Sequence, residues 1–440
     1  MLYARTIQLL LLSLCCYEAI AVSAVELLPE ERVASDGRNY QMSRNPNHSM
    51  AVGRDGTVHL VFWDSFYLDT SPAHPSTAWY CRRDPSGYWS SPEIVDDSYT
   101  SGGTRVGGRH PSLVLRPNGE VRVFWHDYRN CAAAKKWIDN IEIYMDTRPP
   151  AGSFSPNDVR LTTTWAAHDG DNGYVPQAIL SPTGEIFVVW YDYHFNRNLA
   201  DIFLMKSDAQ GRFNLSTPIE SLRLTNVSQR ADSISYTLPD IALDGSKTPH
   251  LVWTQDNQSG YGVYYARLKA GSILTTPTLL SPTGADFFDP PHIIGAPRGD
   301  VYVIWTEHDT PAGDTDIVVA RLRPGAQSFD SPFKVLQNPF NQLQGDLKVD
   351  SRGLLHVVWV DERNGRNEIY SGVFDPDSKI LLSELKISEG MGDASRPSVT
   401  LDPSGCASIA WMDYRSGQGS IYFRRFVEPA RARNLWGLYR

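Results

Sequence analysis

The stretch PSVTLDPSGCASIAWMDYRSGQGSIYF, residues 397–423, contains the pattern that decides the fold of this 440-residue chain. It opens with Pro397 and an alternating apolar strand, turns on the sequence DPSG, and continues as a second strand that ends at Trp411. Asp413 and Arg415 then follow in a short polar loop before a third strand begins. Clusters of Pro, Asp and Gly between apolar runs are turn signals, so the stretch predicts an antiparallel meander.

The tryptophan of this stretch recurs at intervals of 52 to 65 residues along the chain. Its seven positions are Trp63, Trp125, Trp190, Trp253, Trp305, Trp359 and Trp411. Most of these residues end a near-continuous apolar run such as VRVFW, IFVVW or LHVVW, and such runs indicate strands that are buried on both faces. Repeats of this length that consist of short strands are typical of propeller blades. The sequence therefore predicts an all-β, seven-bladed β-propeller of four-stranded antiparallel blades.

The fourth strand of each blade follows a second turn. We expect it at residues 93–95, 158–161, 221–224, 278–280, 333–336 and 384–387. The seventh unit has no such segment after Phe426, but the sequence EERVA at residues 30–34 resembles the other fourth strands. We therefore expect this N-terminal strand to complete the last blade, which closes the ring and leaves no open sheet edge between the first and last blades.

Composition and charge bound the class of protein. With 41% hydrophobic and 21% charged residues the chain is typical of globular proteins, and its net charge of −9 argues against nucleic acid as the main ligand. Residues 1–24 combine a basic start, a short apolar run and small residues, so they predict a signal peptide cleaved after Ala24 and a secreted or periplasmic protein. The apolar run is too short for a membrane span. A lipoprotein anchor at Cys15 or Cys16 is the alternative, although Leu14 fits it poorly.

The expected domains are the signal peptide 1–24, a single propeller over residues 25–427 and a basic C-terminal tail over residues 428–440, which we expect to be a loosely docked terminus. Cleavage would leave three cysteines, at Cys81, Cys131 and Cys406. The first two lie in neighbouring units and are the pair to test for a disulfide. We expect a monomer with no cofactor and no metal.

Topology predicts where the function lies. In an antiparallel blade, the loop after the second strand and the loop that leads into the next first strand lie on the same rim. The longest insertions of this chain fall on that rim in units one to three, whereas the DPSG-like turns of the opposite rim are short. Departures from a repeat are better site candidates than the repeat itself, and exposed loops carry function more often than the elements they connect.

Two groups of candidate residues lie on this long-loop rim. Candidate catalytic residues are His110, His168 and Asp169, because a histidine with a neighbouring tyrosine can act as general base and acid. Candidate substrate-binding residues, of which the arginines can fork onto a carboxylate or sulfate, are Arg109, Arg396, Asp127, Arg129, Asp192 and His194.

A structural interpretation stands beside the functional one. An aspartate two residues after a buried tryptophan can accept backbone N–H groups and pair with the arginine that follows, in every blade alike. This interpretation is strongest for Asp361, Arg363, Asp413 and Arg415. No metal-ligand spacing or nucleophile motif accompanies His110 or His168, so both histidines are also compatible with solvated loops.

The running pattern of Pro, an apolar strand, W-x-D-x-R, an Ile-Tyr pair and RLT, as at residues 176–225 and 345–388, resembles sialidase-like propellers with BNR-type repeats found in exported proteins. The resemblance covers residues 44–426. The Asp-box of that family is matched only in part, by RDPSGYW and SDAQGRF. It implies recognition of an acidic glycan by arginines, and Arg109 and Arg396 are similar to arginines of that family because each stands just ahead of an inner-strand proline. True sialidases have six blades and use an Asp acid and a Tyr–Glu pair that we do not place here.

Two further similarities keep the function open. Seven-bladed polysaccharide lyases act on acidic sugars with His, Tyr and Arg, and the SPTGE and RLT elements are similar to TolB-type propellers of the periplasm, which bind proteins. The first expected function is therefore a carbohydrate-recognising propeller that, if it is an enzyme, is a sialidase-like glycoside hydrolase or a polysaccharide lyase. The alternative is a non-catalytic scaffold for a cell-surface or periplasmic protein.

Overall fold

The structure is a computed structural model. It describes residues 26–65, 76–97, 107–130, 141–162, 173–196, 198–225, 236–256, 261–269, 273–281, 284, 289–308, 314–336 and 338–427. The expected signal peptide, the tail 428–440, Cys131, His168 and Asp169 lie outside the described residues. No helix in the part of the chain that the structure describes is long and apolar enough to cross a membrane.

The described strands form seven antiparallel sheets, each assembled mainly from consecutive strands of the chain. This arrangement confirms the seven-bladed β-propeller. From the inner to the outer edge, the strands of blade 1 are Tyr40–Gln41 with Met50–Val52, Val58–Ser65, Ser76–Arg83 and Glu93–Ile94. Those of blade 2 are Gly108–Leu115, Val121–Asp127, Glu142–Arg148 and Val159–Arg160. Those of blade 3 are Gly173–Leu180, Ile186–Asp192 and Asp201–Lys206.

Blades 4 to 7 repeat the same order. Their strands are Tyr236–Leu243, Pro249–Asp256, Tyr261–Lys269 and Ile273–Leu274 with Thr278–Leu279; His292–Gly295, Val301–His308, Thr315–Leu322 and Phe333–Lys334; Gln342–Val349, Leu355–Asp361, Glu368–Asp375 and Ile380–Lys386; and Ala394–Leu401, Ala407–Asp413, Ser420–Val427 and the N-terminal Glu26–Leu27 with Glu31–Arg32. The described chain also contains two 3-10 helices, Pro46–His48 and Ile219–Leu222.

The repeated tryptophans lie in the packing layers of the blades. Six of the seven are at most 1% exposed, and Trp63 is 6% exposed. In several blades the indole stacks on the aromatic residue that opens the third strand, as Trp125 does on Tyr144 and Trp359 on Tyr370, with ring centroids about 6 Å apart. Burial of a large aromatic side chain contributes about 2–3 kcal/mol, so the repeated tryptophan is a main source of stability in each blade.

The N-terminal strand closes the ring as expected. Glu31 and Arg32 lie opposite Phe423 and Tyr422 in the third strand of blade 7, and the Val33 N–H donates to the Ile421 carbonyl at 2.9 Å. The preceding segment Glu26–Leu27 pairs further along the same strand. The two ends of the described chain therefore share one sheet, and blade 7 has its fourth strand.

Blade 3 differs from the prediction at its outer edge. Residues 221–224 were expected to form a strand, but residues 219–222 form a 3-10 helix and only Arg223 makes an isolated bridge, to Phe203. The preceding Pro218 has a fixed φ and accepts a turn hydrogen bond from the Ser221 N–H at 3.0 Å, which favours a helical turn over an extended strand.

Cys81 is a buried free thiol on the third strand of blade 1. Burial raises its pKa to about 12. The structure thus gives no support for a disulfide with Cys131, which lies outside the described residues.

Candidate functional site

Five inner strands share a bulge at the rim where the predicted site lies. Each has a register shift and a non-glycine residue with φ between 49° and 55° at that point: His110, Val175, Leu238, Gln344 and Arg396. In four of them the next residue is proline, and in blade 6 it is Gly345. A bulge bends the strand and changes the direction of a side chain. A positive φ strains the backbone of a non-glycine residue, and it persists only where the surrounding structure stabilises it. The bulges therefore recur at one equivalent position of five inner strands.

The 3-10 helix Pro46–His48 lies on that axis. It contacts the inner strands of blades 1, 2, 3, 6 and 7, and the Asn47 and His48 side chains reach Asp240 on the inner strand of blade 4. Beside it is a small cavity of about 20 Å³, which we call the central depression together with the side chains around it. The cavity is lined by Arg44, Pro46, Asp289, Pro290, His292, Gln344 and Arg396.

Three arginines and a histidine form the cationic half of the central depression. The backbone N–H of Arg44 donates to Nδ1 of His110 at 2.8 Å. The Arg396 backbone N–H donates to Oε1 of Gln344 at 2.6 Å, and its guanidinium donates to the Met42 carbonyl at 3.0 Å. Arg44 comes from blade 1, Arg109 from blade 2 together with His110, and Arg396 from blade 7, so three neighbouring blades contribute the positive charges.

Arg109 lies beside His110 on the same bulge. Its Nε donates to Ser76 Oγ at 3.1 Å, and its guanidinium lies 5.3 Å from the centre of the Trp63 ring and 4.7 Å from that of Tyr128. Among the described residues, neither Arg109 nor Arg44 forms an ion pair with a carboxylate. Within the described part of the chain, the contacts of both guanidinium groups are with neutral side chains, so both are suited to bind an anion.

The two histidines of this half are neutral at pH 7. Burial lowers the pKa of His110 well below its usual value, and the charges of His126, Arg396, Arg44 and Arg109 lower it further. Burial likewise lowers the pKa of His126, with Arg109 and Arg44 as additional causes. Their rings lie 5.3 Å apart. Both are therefore available as neutral hydrogen-bonding groups next to positive charge.

Hydrogen bonds fix the tautomer of both rings. Nδ1 of His110 accepts from the Arg44 N–H, and Nδ1 of His126 accepts from the Val175 N–H at 3.1 Å. A neutral ring whose Nδ1 accepts carries its proton on Nε2, so both histidines present an N–H donor. Nε2 of the buried His126 has no hydrogen-bond partner among the described residues.

The opposite wall of the depression is aromatic and apolar. Tyr174 stacks on Tyr191 with ring centroids 5.4 Å apart and meets His126 edge-on at 5.3 Å. Val175 and Leu238, the bulge residues of blades 3 and 4, belong to the same cluster. Burial raises the pKa of Tyr191, whereas a hydrogen bond from Arg44 acts in the opposite direction. An apolar surface beside a cationic one suits a ligand with a ring face and an acidic substituent.

Asp127 and Arg129, which the sequence predicts as substrate-binding residues, are engaged within blade 2. Asp127 has no exposed surface, and its Oδ2 accepts from the Trp125 indole N–H at 2.9 Å and from Arg129 at 2.7 Å. Arg129 also pairs with Asp158 on the outer strand and lies 4.1 Å from the centre of the Tyr144 ring. These contacts are those of the structural interpretation.

Asp192 occupies the same position in blade 3. It is buried and accepts from the Trp190 indole N–H at 3.3 Å and from the His194 backbone N–H at 3.0 Å. The His194 ring packs edge-on against Phe195 at 4.6 Å. Of the predicted residues, the central depression therefore brings together Arg109, His110 and Arg396. The side chains of Asp192 and His194 instead contact residues of their own blade.

Several residues of the depression do not figure among the predicted site residues. They are Arg44, His126, Tyr128, Tyr174, Tyr191 and Tyr193. One signal was present, since side chains alternate along a strand and the residue after the buried tryptophan must point away from the tryptophan. That residue is His126 in blade 2 and Tyr191 in blade 3, but Val360 in blade 6 and Met412 in blade 7. The departure from the repeat at this single position distinguishes blades 2 and 3, which supply His126 and Tyr191.

Within the described residues, no cluster of three or more His, Cys, Asp or Glu side chains is arranged to hold a metal ion.

No family model matches the chain, and no curated protein matches it. The assignment to the sialidase-like family therefore stays a prediction.

Solved structures do match the fold. A PL25 ulvan lyase bound to GlcA(1-4)Rha3S has a TM-score of 0.60 at 11% identity, covering 90% of this chain and 95% of its own. The polysaccharide lyase Uly1 has a TM-score of 0.55 at 10% identity, covering 92% of this chain and 100% of its own. An α-L-arabinanase of Penicillium chrysogenum complexed with arabinobiose has a TM-score of 0.50 at 12% identity, covering 81% and 100%. The chain thus has a propeller fold that carbohydrate-active enzymes also use.

Proposed function

We propose that this protein binds an acidic polysaccharide in the central depression and cleaves it by β-elimination, as a polysaccharide lyase. The observation that carries the proposal is the grouping of Arg44, Arg109 and Arg396 around the neutral ring of His110, beside a wall of tyrosines. The likeness of the fold to two polysaccharide lyases supports it. If the predicted signal peptide is present and cleaved, the protein acts outside the cytoplasm on extracellular or periplasmic glycan.

The chemistry of elimination matches these groups. In a uronic acid the C5–H bond breaks, the electrons form the C4=C5 double bond, and the C4–O bond to the neighbouring sugar breaks. A general base accepts the proton from C5, and a general acid donates a proton to the leaving oxygen. Negative charge develops on the carboxylate, so fixed cationic donors at that group stabilise the transition state. Arg109 and Arg396 are the proposed carboxylate ligands.

His110 has a donor role in this proposal. Because its Nδ1 is occupied by the Arg44 N–H, the neutral ring offers Nε2–H to the carboxylate or to the leaving oxygen and is not placed to take up a proton. The proton acceptor is then the phenolate of a tyrosine of the aromatic wall, of which Tyr128 and Tyr193 are partly exposed. Burial raises the pKa of Tyr193 and opposes this ionised form, whereas the positive charge of Arg44 favours it. His168 and Asp169, outside the described residues, stay predictions for the same role.

An ultraviolet assay tests the reaction. Purified protein is incubated with uronic-acid polysaccharides, with and without sulfate esters, and with sialylated glycans and neutral arabinan as comparisons. We expect the absorbance of the C4=C5 product with uronic-acid polymers alone. New reducing ends without that absorbance would show that the reaction is hydrolysis. Binding without cleavage would show that the protein is a lectin-like module.

A matched pair of variants tests the site. Arg109→Gln and Arg212→Gln each remove one positive charge, but Arg212 lies in the turn after the third strand of blade 3, on the opposite rim, and pairs with Asp208. We expect turnover to fall in the first variant only. Absence of both turnover and binding with every acidic polymer, or equal loss in the two variants, would overturn the proposal.

A further inference from the structure

A buried carboxylate of blade 4 holds the segment that lies on the propeller axis. Oδ2 of Asp240 accepts from Nδ2 of Asn47 at 2.6 Å, and its Oδ1 lies 2.9 Å from Nε2 of His48. The two partners are about 190 residues away in sequence and belong to the 3-10 helix on the axis. Blade 4 is thereby connected to the segment that enters blade 1.

Asp240 is ionised in this position although it has no exposed surface. Burial alone would raise its pKa, but His48, His292 and the Ile293 backbone N–H, which donates at 2.8 Å, together lower it. A buried carboxylate is stable where such donors converge on it. The connection across the axis is therefore a charged contact with defined partners rather than an incidental approach of two side chains.

The segment held by Asp240 also carries the contact that sets the tautomer of His110. Arg44, whose N–H donates to Nδ1 of His110 at 2.8 Å, is only three residues from Asn47. Pro46 and the 3-10 helix leave little freedom between these two points, since the proline fixes one φ and the Ser49 N–H donates back to the Pro46 carbonyl. Displacement of Asn47 or His48 is thus transmitted to Arg44.

We infer that Asp240 is a positioning residue for the central depression: through Asn47 and His48 it holds the Arg44 N–H on Nδ1 of His110 and so keeps the His110 proton on Nε2, facing the ligand. This inference deepens the proposed function and rests on it only for the effect on turnover. Its structural content, the tautomer of His110, can be measured without any substrate.

Asp346 provides a matched control. It occupies the same position after the bulge in blade 6, and its Oδ2 accepts from the Val399 N–H of the next blade at 2.9 Å, as Asp240 does from Ile293. Within the described residues it has no hydrogen bond to Asn47 or His48, and its link to that segment is indirect, through Lys348, which donates to the Asn47 backbone carbonyl at 3.3 Å. Asp346→Asn therefore repeats the loss of a carboxylate between blades without releasing the axial segment.

Heteronuclear NMR of the histidine ring nitrogens is the direct test. The wild-type protein, Asp240→Asn, His48→Gln and Asp346→Asn are compared at neutral pH, and the His110 signals are identified by their loss in His110→Gln. We expect a single Nε2–H tautomer in the wild type and in Asp346→Asn, and a mixture of tautomers in the other two variants. Turnover should fall about tenfold in those two, as for other lost orienting contacts, and less than about twofold in Asp346→Asn.

The two readouts separate the possible failures. An unchanged His110 tautomer in both Asp240→Asn and His48→Gln would overturn the inference, whether or not the protein is a lyase. Equal effects in Asp346→Asn would show a general loss of packing and would also overturn it. If the wild type has no turnover, the proposed function fails while the NMR comparison still decides the role of Asp240. His48→Gln keeps the test open if Asp240→Asn does not fold.

Discussion

Arg363 and Arg109 lie on the same rim of the propeller, but their surroundings are opposite. Arg363 is bonded through two nitrogens to Asp361, pairs with Glu384 at 2.5 Å and covers the Tyr370 ring at 4.3 Å. Arg109 has no carboxylate partner among the described residues and rests on aromatic rings. The first arginine belongs to the repeat and the second does not.

The repeated arrangement recurs in detail. Arg129 in blade 2 and Arg415 in blade 7 each bind the aspartate two residues earlier, lie over an aromatic ring of the third strand and reach a carboxylate on the outer strand. In blade 7 that carboxylate is Glu30 of the N-terminal strand. Repeated arginines are therefore part of the structure of each blade, whereas Arg44 and Arg109 stand outside this arrangement.

The largest expected effect is on stability. Arg363→Ala leaves the fully buried Asp361 without its main cationic partner. Breaking a buried pair on one side costs about 3–5 kcal/mol, so we expect a loss of that size in the free energy of unfolding, measured by urea titration. Arg212→Ala, which removes an exposed arginine, should leave the unfolding curve unchanged. Similar curves for the two variants would contradict the structural role of the repeated arginines.

The second prediction is the opposite pattern, with a small effect on stability and a large effect on turnover. Arg109→Gln should lower the free energy of unfolding by only about 1 kcal/mol or less, because it removes cation–π contacts and one hydrogen bond. Turnover of a uronic-acid polymer should fall about 100-fold, the size of effect seen when one donor to a developing negative charge is lost. A variant that is unstable yet fully active would place Arg109 with the repeated arginines.

The sequence was sufficient for the fold because the fold is a repeat. A buried tryptophan at regular intervals, with turn residues after each first strand, indicates the number of blades without knowledge of any long-range contact. The N-terminal strand at residues 30–34 was predictable for the same reason, since one blade lacked a fourth strand. The exception, residues 219–222, is a place where Pro218 outweighs the pattern of the repeat.

The site was predictable only in part. Arg109 and His110 were predicted because they fall in a non-repeated insertion, and Arg109 and Arg396 because they stand ahead of inner-strand prolines. Their role stays a prediction, and the structure adds that His110 and Arg396 are the bulge residues of their strands. The sequence does not contain the register shift itself, nor the hydrogen bond by which Arg44 sets the tautomer of His110. Those depend on residues 66 positions apart that meet at the axis.

The third prediction concerns the closing blade. Glu30→Gln removes a buried partner of Arg415, whose guanidinium also binds Asp413 at 2.5 Å. Loss of a charged hydrogen bond costs about 2 kcal/mol, which thermal and urea unfolding should detect. Glu384→Gln is the comparison in blade 6, and its effect should be smaller because Glu384 is more exposed than Glu30. An unaffected Glu30→Gln protein would mean that the N-terminal strand does not carry the repeated contact.

The smallest effect is on the pH dependence of stability, and it follows from the same difference in charge compensation. The pKa of Arg363 is raised by its own aspartate, whereas the charges of Arg44, Arg109 and Arg396 add to burial in lowering the pKa of His110. As the pH falls below about 6.5, the histidine of the unfolded chain takes up a proton before the folded one does, so the fold loses stability by up to about 1.4 kcal/mol per pH unit; above that pH this group has no effect. Urea titrations at several pH values should show a shallower acid loss in His110→Gln than in the wild type. Parallel curves would mean that neither burial nor the neighbouring arginines lower the pKa of His110.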